Sequence, residues 1–323
     1  MKKNHNFFLD IAFHLAQKNL GQTGLNPSVG TVVVKDDSII SSGVTSINGR
    51  PHAEYNALNK IKNIKGSTLY TSLEPCTHQG ITPPCTNIIV KKKIKEVFYG
   101  FEDPDLRTFR KAKKILKKKG VKIKFIKSKK YESFYKSYLI NRKLEIPFIS
   151  AKIAISNDYF TINKKKKWIT NIYSRKITHL LRSQHDGILS TSQSINIDNS
   201  LLNCRIEGLD NFKPNLFIVD LNLKLKKNLL LNKLLKKRRT FLITNIKNKK
   251  KSYMFKKKGF KIIFVNDLKN KKDFYQLFKR IYKMGYSRIF IESGLTFINT
   301  LLKNELINDM YIFKNINNLY KNG

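Results

Sequence analysis

Leu73-Glu74-Pro75-Cys76-Thr77-His78-Gln79-Gly80-Ile81-Thr82-Pro83-Pro84-Cys85, read with Pro51-His52-Ala53-Glu54, decides how this chain is understood. One imidazole and two thiols form a soft-to-borderline donor set of the kind that suits Zn²⁺. Three protein donors leave a fourth position for water, the pattern of a catalytic rather than a structural metal site. Glu54 lies two residues after His52. Inside a helix the two would diverge, but in a first turn opened by Pro51 both reach one site. A carboxylate there does not bind the metal; it takes a proton from the activated water and passes it on. Cys76 is expected at a strand end and Cys85 at the start of the next helix, with residues 77–84 bulging between them.

Taken singly these pieces are weak. His-Ala-Glu recurs by chance, and so do two cysteines nine positions apart. The weight comes from the combination, with a proline before each of His52, Cys76 and Cys85. A His-x-Glu followed by Pro-Cys and a second cysteine is the signature of zinc nucleobase deaminases, although there two residues separate the cysteines and here eight do. His78 reads equally well as a substrate contact or an exposed loop residue. Cys204 reads as a semi-buried bystander, and three cysteines do not make a disulfide framework.

Working outward, apolar residues from Phe7 to Ala16 recur at helical spacing. Residues 29–34 and 38–42 read as strands joined at Asp36-Asp37. A helical stretch over 52–60, a strand over 67–73, a helix over 86–92 and a strand over 96–100 follow. A basic helix over 107–119, a strand over 121–126 and a closing helix over 131–139 complete the first half. That order suits a sheet covered by helices on both faces. A boundary is expected near 141–147, where Pro147 stops any helix, giving domains 1–146 and 147–323. The second half again mixes strands (148–155, 216–220, 240–244, 261–265, 288–291) with helices (173–181, 273–284, 297–303).

The 323 residues carry a net charge of +42, from 64 basic and 22 acidic side chains. Lysine, asparagine and isoleucine crowd even plain loops such as 245–251, so compositional drift explains the charge better than a nucleic-acid surface. Lysine runs at 91–93 and 164–167 read as solvated faces. No apolar run is long enough to span a bilayer. No secretory leader is read after Met1-Lys2-Lys3-Asn4-His5-Asn6, so the cytoplasm is the expected location.

The Leu73–Cys85 stretch and Asn26-Pro27-Ser28-Val29-Gly30 resemble the bifunctional riboflavin-biosynthesis deaminase/reductase family. The resemblance continues through residues 151–158, Trp168-Ile169-Thr170, 179–189, 198–205 and 291–296. It implies an α/β chain with a cytidine-deaminase-like three-layer domain, then a dihydrofolate-reductase-like α/β domain. The implied activities are hydrolytic deamination of 2,5-diamino-6-(5-phosphoribosylamino)pyrimidin-4-one and NADPH-dependent reduction of its ribosyl group to ribityl. The implied cofactors are Zn²⁺ and NADPH, and a homodimer fits the family. It further implies cofactor contacts at Ala154, Trp168, Ser194, Asp198, Gly294, Leu295 and Thr296. Substrate contacts are implied at Lys166, Arg182, Leu202, Arg205 and Glu292. Independently of the family, Gly294 opens a helix after a strand, where backbone N–H groups hold phosphate. Arg182 and Arg205 are the side chains suited to bidentate phosphate pairing. Trp168 without the family would be read as core.

Departures from the family fall at Thr45, at Ile81 where an arginine is expected, at residues 105–110, at Lys166 and at Asn199-Ser200. The resemblance also expects further strands after Tyr311-Ile312-Phe313. Two alternatives therefore stand beside the bifunctional reading: a deaminase with a purely structural second domain, and a deaminase of nucleic-acid bases.

Overall fold

The computed structural model describes residues 4–166, 168–209 and 213–323. Residues 1–3 of the leader reading and Lys167 of the 164–167 run lie outside the described residues. The chain forms two compact units, Met1–Glu145 and Ile146–Gly323.

In the first unit the elements are α1 (His5–Gln17), β1 (Gly30–Lys35), β2 (Ser38–Val44), α2 (Ala53–Leu58) and β3 (Thr68–Thr71). They continue as α3 (Cys85–Lys91), β4 (Glu96–Tyr99), α4 (Lys111–Lys118), β5 (Lys122–Phe125) and α5 (Lys129–Leu144). The strands lie in the order β2-β1-β3-β4-β5. β1 is antiparallel to β2 and β3, while β3, β4 and β5 run parallel.

Strand side chains alternate between faces, and that alternation builds the three layers. Val32 and Val34 of β1 join Phe8, Leu9, Phe13, Tyr131 and Tyr135 of α1 and α5. Val33, between them, joins Leu58, Ile89 and Leu116 of α2, α3 and α4. Gly43 of β2 lets α2 lie directly against the sheet, because a β-carbon there would sit 2.5 Å from the Ala57 nitrogen. That approach fixes the helix on which Glu54 rides.

The second unit contains β6 (Phe148–Ile155), α6 (Ile172–Ser183), β7 (Gly187–Thr191), α7 (Ser192–Asp198), β8 (Asn215–Val219) and β9 (Thr240–Asn245). It continues with α8 (Lys249–Lys257), β10 (Lys261–Val265), α9 (Lys271–Lys283), β11 (Arg288–Glu292), α10 (Leu295–Lys303) and β12 (Asp309–Lys314). Among the described residues these strands form a seven-stranded, wholly parallel sheet in the order β10-β9-β8-β7-β11-β6-β12. It is buried on both sides, as parallel sheets are. In β8, Leu216 and Ile218 pack with Leu181 and Ile195, while Phe217 stacks on Phe241 at 4.7 Å.

Several expectations are corrected. The basic helix begins at Lys111 rather than at Arg107, because the Arg110 backbone turns left-handed (φ +57°) and its N–H is drawn to the Glu74 carboxylate at 3.1 Å. Residues 245–251 are not a plain loop. The Asn245 side chain accepts from Lys247 N at 2.9 Å, and α8 starts at Lys249. Strand β12 and helix α7 were not read from periodicity, and Cys204 is buried rather than semi-buried.

Candidate metal centre and the carboxyl edge of the second sheet

His52 is the N-cap of α2, with extended backbone (φ −70°, ψ 161°), so Glu54 falls in the first turn. Asn56 holds this entry in place. Its side-chain amide donates to the carbonyl of Val44 at 2.7 Å and to the Ser46 hydroxyl at 2.9 Å. Cys76 follows β3, and Cys85 is the first residue of α3 behind Pro84. The eight-residue spacer closes on itself, with Cys85 N donating to Cys76 Sγ at 3.2 Å.

The donor atoms converge. His52 Nδ1 lies 3.5 Å from Cys76 Sγ and 3.4 Å from Cys85 Sγ. All three donors lie within 4.8 Å of one another. A tetrahedral zinc with Zn–S ~2.3 Å and Zn–N ~2.0–2.1 Å has N···S edges of roughly 3.5 Å. The set therefore fits zinc in both chemistry and spacing. Glu54 stands beside the three and not among them, with Oε2 at 3.4 Å from Cys85 Sγ. It is fully buried, and that burial pushes its carboxyl up to about 7, with Cys76 adding to the effect. Cys76 is held down at about 4, first by the Cys85 thiol, with the His52 ring and the Cys85 N–H contributing. Cys85, buried against Cys76 and Glu54, is raised. Burial opposes protonation of His52, but Cys76 and Glu54 outweigh it, and His52 is raised.

Reading the sequence missed two supports of this centre. The Glu74 carboxylate, 2 % exposed, accepts from the backbone N–H groups of Asp103, Arg110 and Ala112 at 3.3, 3.1 and 3.1 Å. It thereby ties residues 103–112 to the Cys76 segment. The tied loop delivers Thr108, whose hydroxyl lies 3.1 Å from His78 Nδ1 and accepts from Thr77 N at 3.4 Å. His78 is half-buried against this loop rather than free in solvent. A buried-type carboxylate next to Pro-Cys was the available signal for Glu74. Nothing local announced Thr108.

In the second unit the residues implied by the resemblance gather at the carboxyl ends of β6, β7 and β11, where open α/β sheets bind ligands. Arg182 and Glu292 form a buried bidentate pair, Nε to Oε1 at 2.5 Å and Nη2 to Oε2 at 2.8 Å. Lys152 stands in register with Glu292 across β6 and β11. Burial lowers its basicity, and Glu292 works against that. Arg182 also donates to the Asn203 carbonyl at 2.9 Å. Arg205 is exposed, with Nη1 on Asn203 Oδ1 at 2.6 Å. Ser194 Oγ accepts from Gly294 N at 3.0 Å and lies 3.2 Å from Ser293 Oγ. Leu295 and Thr296 open α10 in solvent, Ala154 is half-buried near the end of β6, and Asp198 is exposed at the end of α7. Lys166 and Trp168 are exposed on the loop after β6, and the Arg175 guanidinium lies 5.0 Å from the Trp168 ring. Trp168 is 54 % exposed, so the core reading of it fails.

At two of the expected substrate positions the side chains already have protein partners. Arg182 is consumed by Glu292 and a backbone carbonyl, so its charge is internal. The Leu202 side chain belongs to the apolar core, and its carbonyl receives the Arg238 guanidinium, so the side chain offers nothing to a ligand. Lys152 was missed although a lysine within an apolar strand marks a buried charge.

Comparison with known proteins bears on both units. The model for the cytidine and deoxycytidylate deaminase zinc-binding region matches residues 2–101. The model for the RibD C-terminal domain matches residues 147–315. The riboflavin biosynthesis protein RibD of Aquifex aeolicus is 30 % identical over 312 residues, 95 % of this chain and 85 % of that protein. The chain belongs to the RibD family. It carries both RibD domains, a deaminase domain and a reductase domain, which together mark an enzyme of riboflavin biosynthesis. RibD of Bacillus amyloliquefaciens is 35 % identical over 204 residues, and that match spans 62 % of this chain and 55 % of the relative. A solved RibD from Acinetobacter baumannii superposes with a TM-score of 0.85 at 25 % identity, covering 98 % of this chain and 88 % of that one. No helix among the described residues is long and apolar enough to cross a membrane.

Proposed function

We propose that the chain releases ammonia from 2,5-diamino-6-(5-phosphoribosylamino)pyrimidin-4-one at the first unit and reduces the ribosyl group of the product at the second. The observation that carries this reading is the convergence of His52 Nδ1, Cys76 Sγ and Cys85 Sγ beside a buried Glu54. His52, Cys76 and Cys85 hold Zn²⁺, which when bound acts as a Lewis acid and makes water nucleophilic near neutral pH. Glu54, poised at about 7 by its burial, takes a proton from the attacking water and gives it to the departing amine. A general base tuned to the working pH performs both transfers without a second residue.

At the second unit NADPH, when bound, supplies the hydride. Ala154, Trp168, Ser194, Asp198, Gly294, Leu295 and Thr296 form its side of the cleft. The N–H groups opening α10 receive a cofactor phosphate. Arg205 pairs with the substrate phosphate, Lys166 lies along the same loop side, and Glu292 is oriented by Arg182. The reading includes a cytoplasmic enzyme acting on a small pyrimidine nucleotide and assembling as a homodimer.

Glu54→Ala tests the first half. Zinc content stays near that of the parent while ammonia release falls by about 10²–10⁴-fold. Full turnover by the variant would remove Glu54 from the mechanism.

A further inference from the structure

The first unit carries four arginines, and three are paired with carboxylates. Arg107 and Arg142 share the Asp105 carboxylate at 2.6 and 2.8 Å. Arg110 pairs with Glu102 at 2.8 Å. Arg50 is the exception. Its one side-chain hydrogen bond among the described residues runs from Nη1 to the Thr82 hydroxyl at 2.5 Å, and no carboxylate pairs with it there.

Arg50 is also firmly placed. Ser46 N donates to the Pro51 carbonyl at 3.0 Å, and Gly49 N donates to the Ser46 carbonyl at 2.8 Å, closing the loop that carries it. Gly49 adopts φ +87°, and a β-carbon there would lie 2.6 Å from the Thr23 carbonyl oxygen. The other end of the guanidinium approaches the cysteine loop, with Nη2 3.4 Å from where a β-carbon on Gly80 would be. Gly80 offers no side chain, and its neighbour Ile81 is 89 % exposed and uncharged. A half-buried guanidinium thus bridges the loop before His52 and the loop before Cys85. It has five N–H donors and one acceptor. A tetrahedral oxyanion matches such a preorganised fork.

We propose that Arg50 receives the phosphate of the nucleotide substrate at the mouth of the metal centre. The assignment rests on the deaminase reading of that centre. It gives Arg50 a binding role and no part in proton transfer, so its removal acts on KM and leaves kcat near the parent value. Thr82 fixes the guanidinium from one side while the remaining N–H groups face the ligand.

The test uses zinc-loaded, full-length protein. Ammonia release is followed from the phosphorylated diaminopyrimidinone nucleotide and from its dephosphorylated form, for the parent, Arg50→Ala and Arg50→Lys. The expected result is a rise in KM of about 10- to 100-fold for Arg50→Ala on the phosphorylated substrate, with partial rescue by Arg50→Lys. Turnover of the dephosphorylated substrate stays the same in all three, as does zinc content. An equal loss on both substrates, or loss of zinc, would reduce Arg50 to a loop pin and overturn the proposal. If Arg50→Ala fails to fold, Thr82→Val serves instead. It removes the pin and keeps the charge, so the preference for the phosphorylated substrate must persist; its disappearance counts against the proposal. Calorimetric titration with inorganic phosphate separates this from the functional reading. A parent that releases no ammonia sinks that reading, whereas the Arg50 assignment then stands on a phosphate-binding event absent from Arg50→Ala and falls if both proteins bind alike.

Discussion

The two candidate sites solve opposite problems with charged groups. At the first, three donor atoms crowd within 4.8 Å, beside a buried carboxyl held near neutrality. They offer one another only long, weak contacts. At the second, the buried charges have already found each other, and Arg182 and Glu292 are locked fork to fork. The first centre is a donor set suited to an ion. The second is a charge pair complete in itself. The difference predicts that ligand removal damages the first unit and charge removal the second.

The largest expected effect breaks the first side of that contrast. Cys85→Ser deletes a buried soft donor, so zinc stoichiometry collapses and ammonia release is lost. The reductase half, supplied with deaminated substrate and NADPH, continues at the parent rate. Metal analysis beside the two separate assays reads all three. Retained zinc with full deamination would show that the cluster is not the metal centre. Chelation should mimic the variant and be reversed by added zinc.

Charge removal comes next in size. Glu292→Gln leaves the Arg182 guanidinium buried without its counter-ion, which costs about 3–5 kcal/mol. Far-UV circular dichroism in urea reports that unfolding. The paired change Arg182→Met with Glu292→Leu removes both charges and recovers most of the stability, yet reduction stays lost if Glu292 faces the substrate. Equal destabilisation by the single and double changes would mean that the pair holds shape by packing and not by charge.

The centre itself was legible in the sequence because its chemistry is local. His52 and Glu54 sit in one turn, and a proline precedes each ligand. Layer order followed from period-two alternation, as at Val32-Val33-Val34, where successive residues serve opposite cores. What escaped depends on distant partners. Thr108 reaches the centre only because Arg110 abandons helical backbone for the Glu74 carboxylate. Arg238 looks like one more basic residue in Lys236-Lys237-Arg238-Arg239, yet it is buried and donates at 2.6 Å to the Leu201 carbonyl. Leu202 shows a complementary limit: a position named by family likeness carries no information about whether its side chain or its backbone would face a ligand. Composition erased one further signal. With lysine everywhere, Lys152 did not stand out, although the physics of a charge inside a strand should have marked it.

The smallest effect is a pH dependence confined to the loop that Glu74 ties down. Burial alone would raise the Asp105 carboxyl, but the Arg107 side chain and N–H, with Arg142, outweigh it and hold it at about 2. Its folded value therefore lies below the ordinary 3.8. The unfolded chain binds the proton first as pH falls, so the stabilisation is complete above pH ~4 and disappears between pH ~4 and ~2. Arg107 is largely exposed, and solvent screening trims the contribution to about 1 kcal/mol. Asp105→Asn should lower stability by that amount at pH 7 and by little at pH 2, in urea titrations of the metal-free protein, so that loss of zinc in acid does not contribute. A penalty that persists unchanged at pH 2 would assign Asp105 a hydrogen-bonding role, independent of its charge, in shaping residues 103–112. That outcome would also bring the loop beside the metal centre closer to the self-complete charge pairing of the second unit.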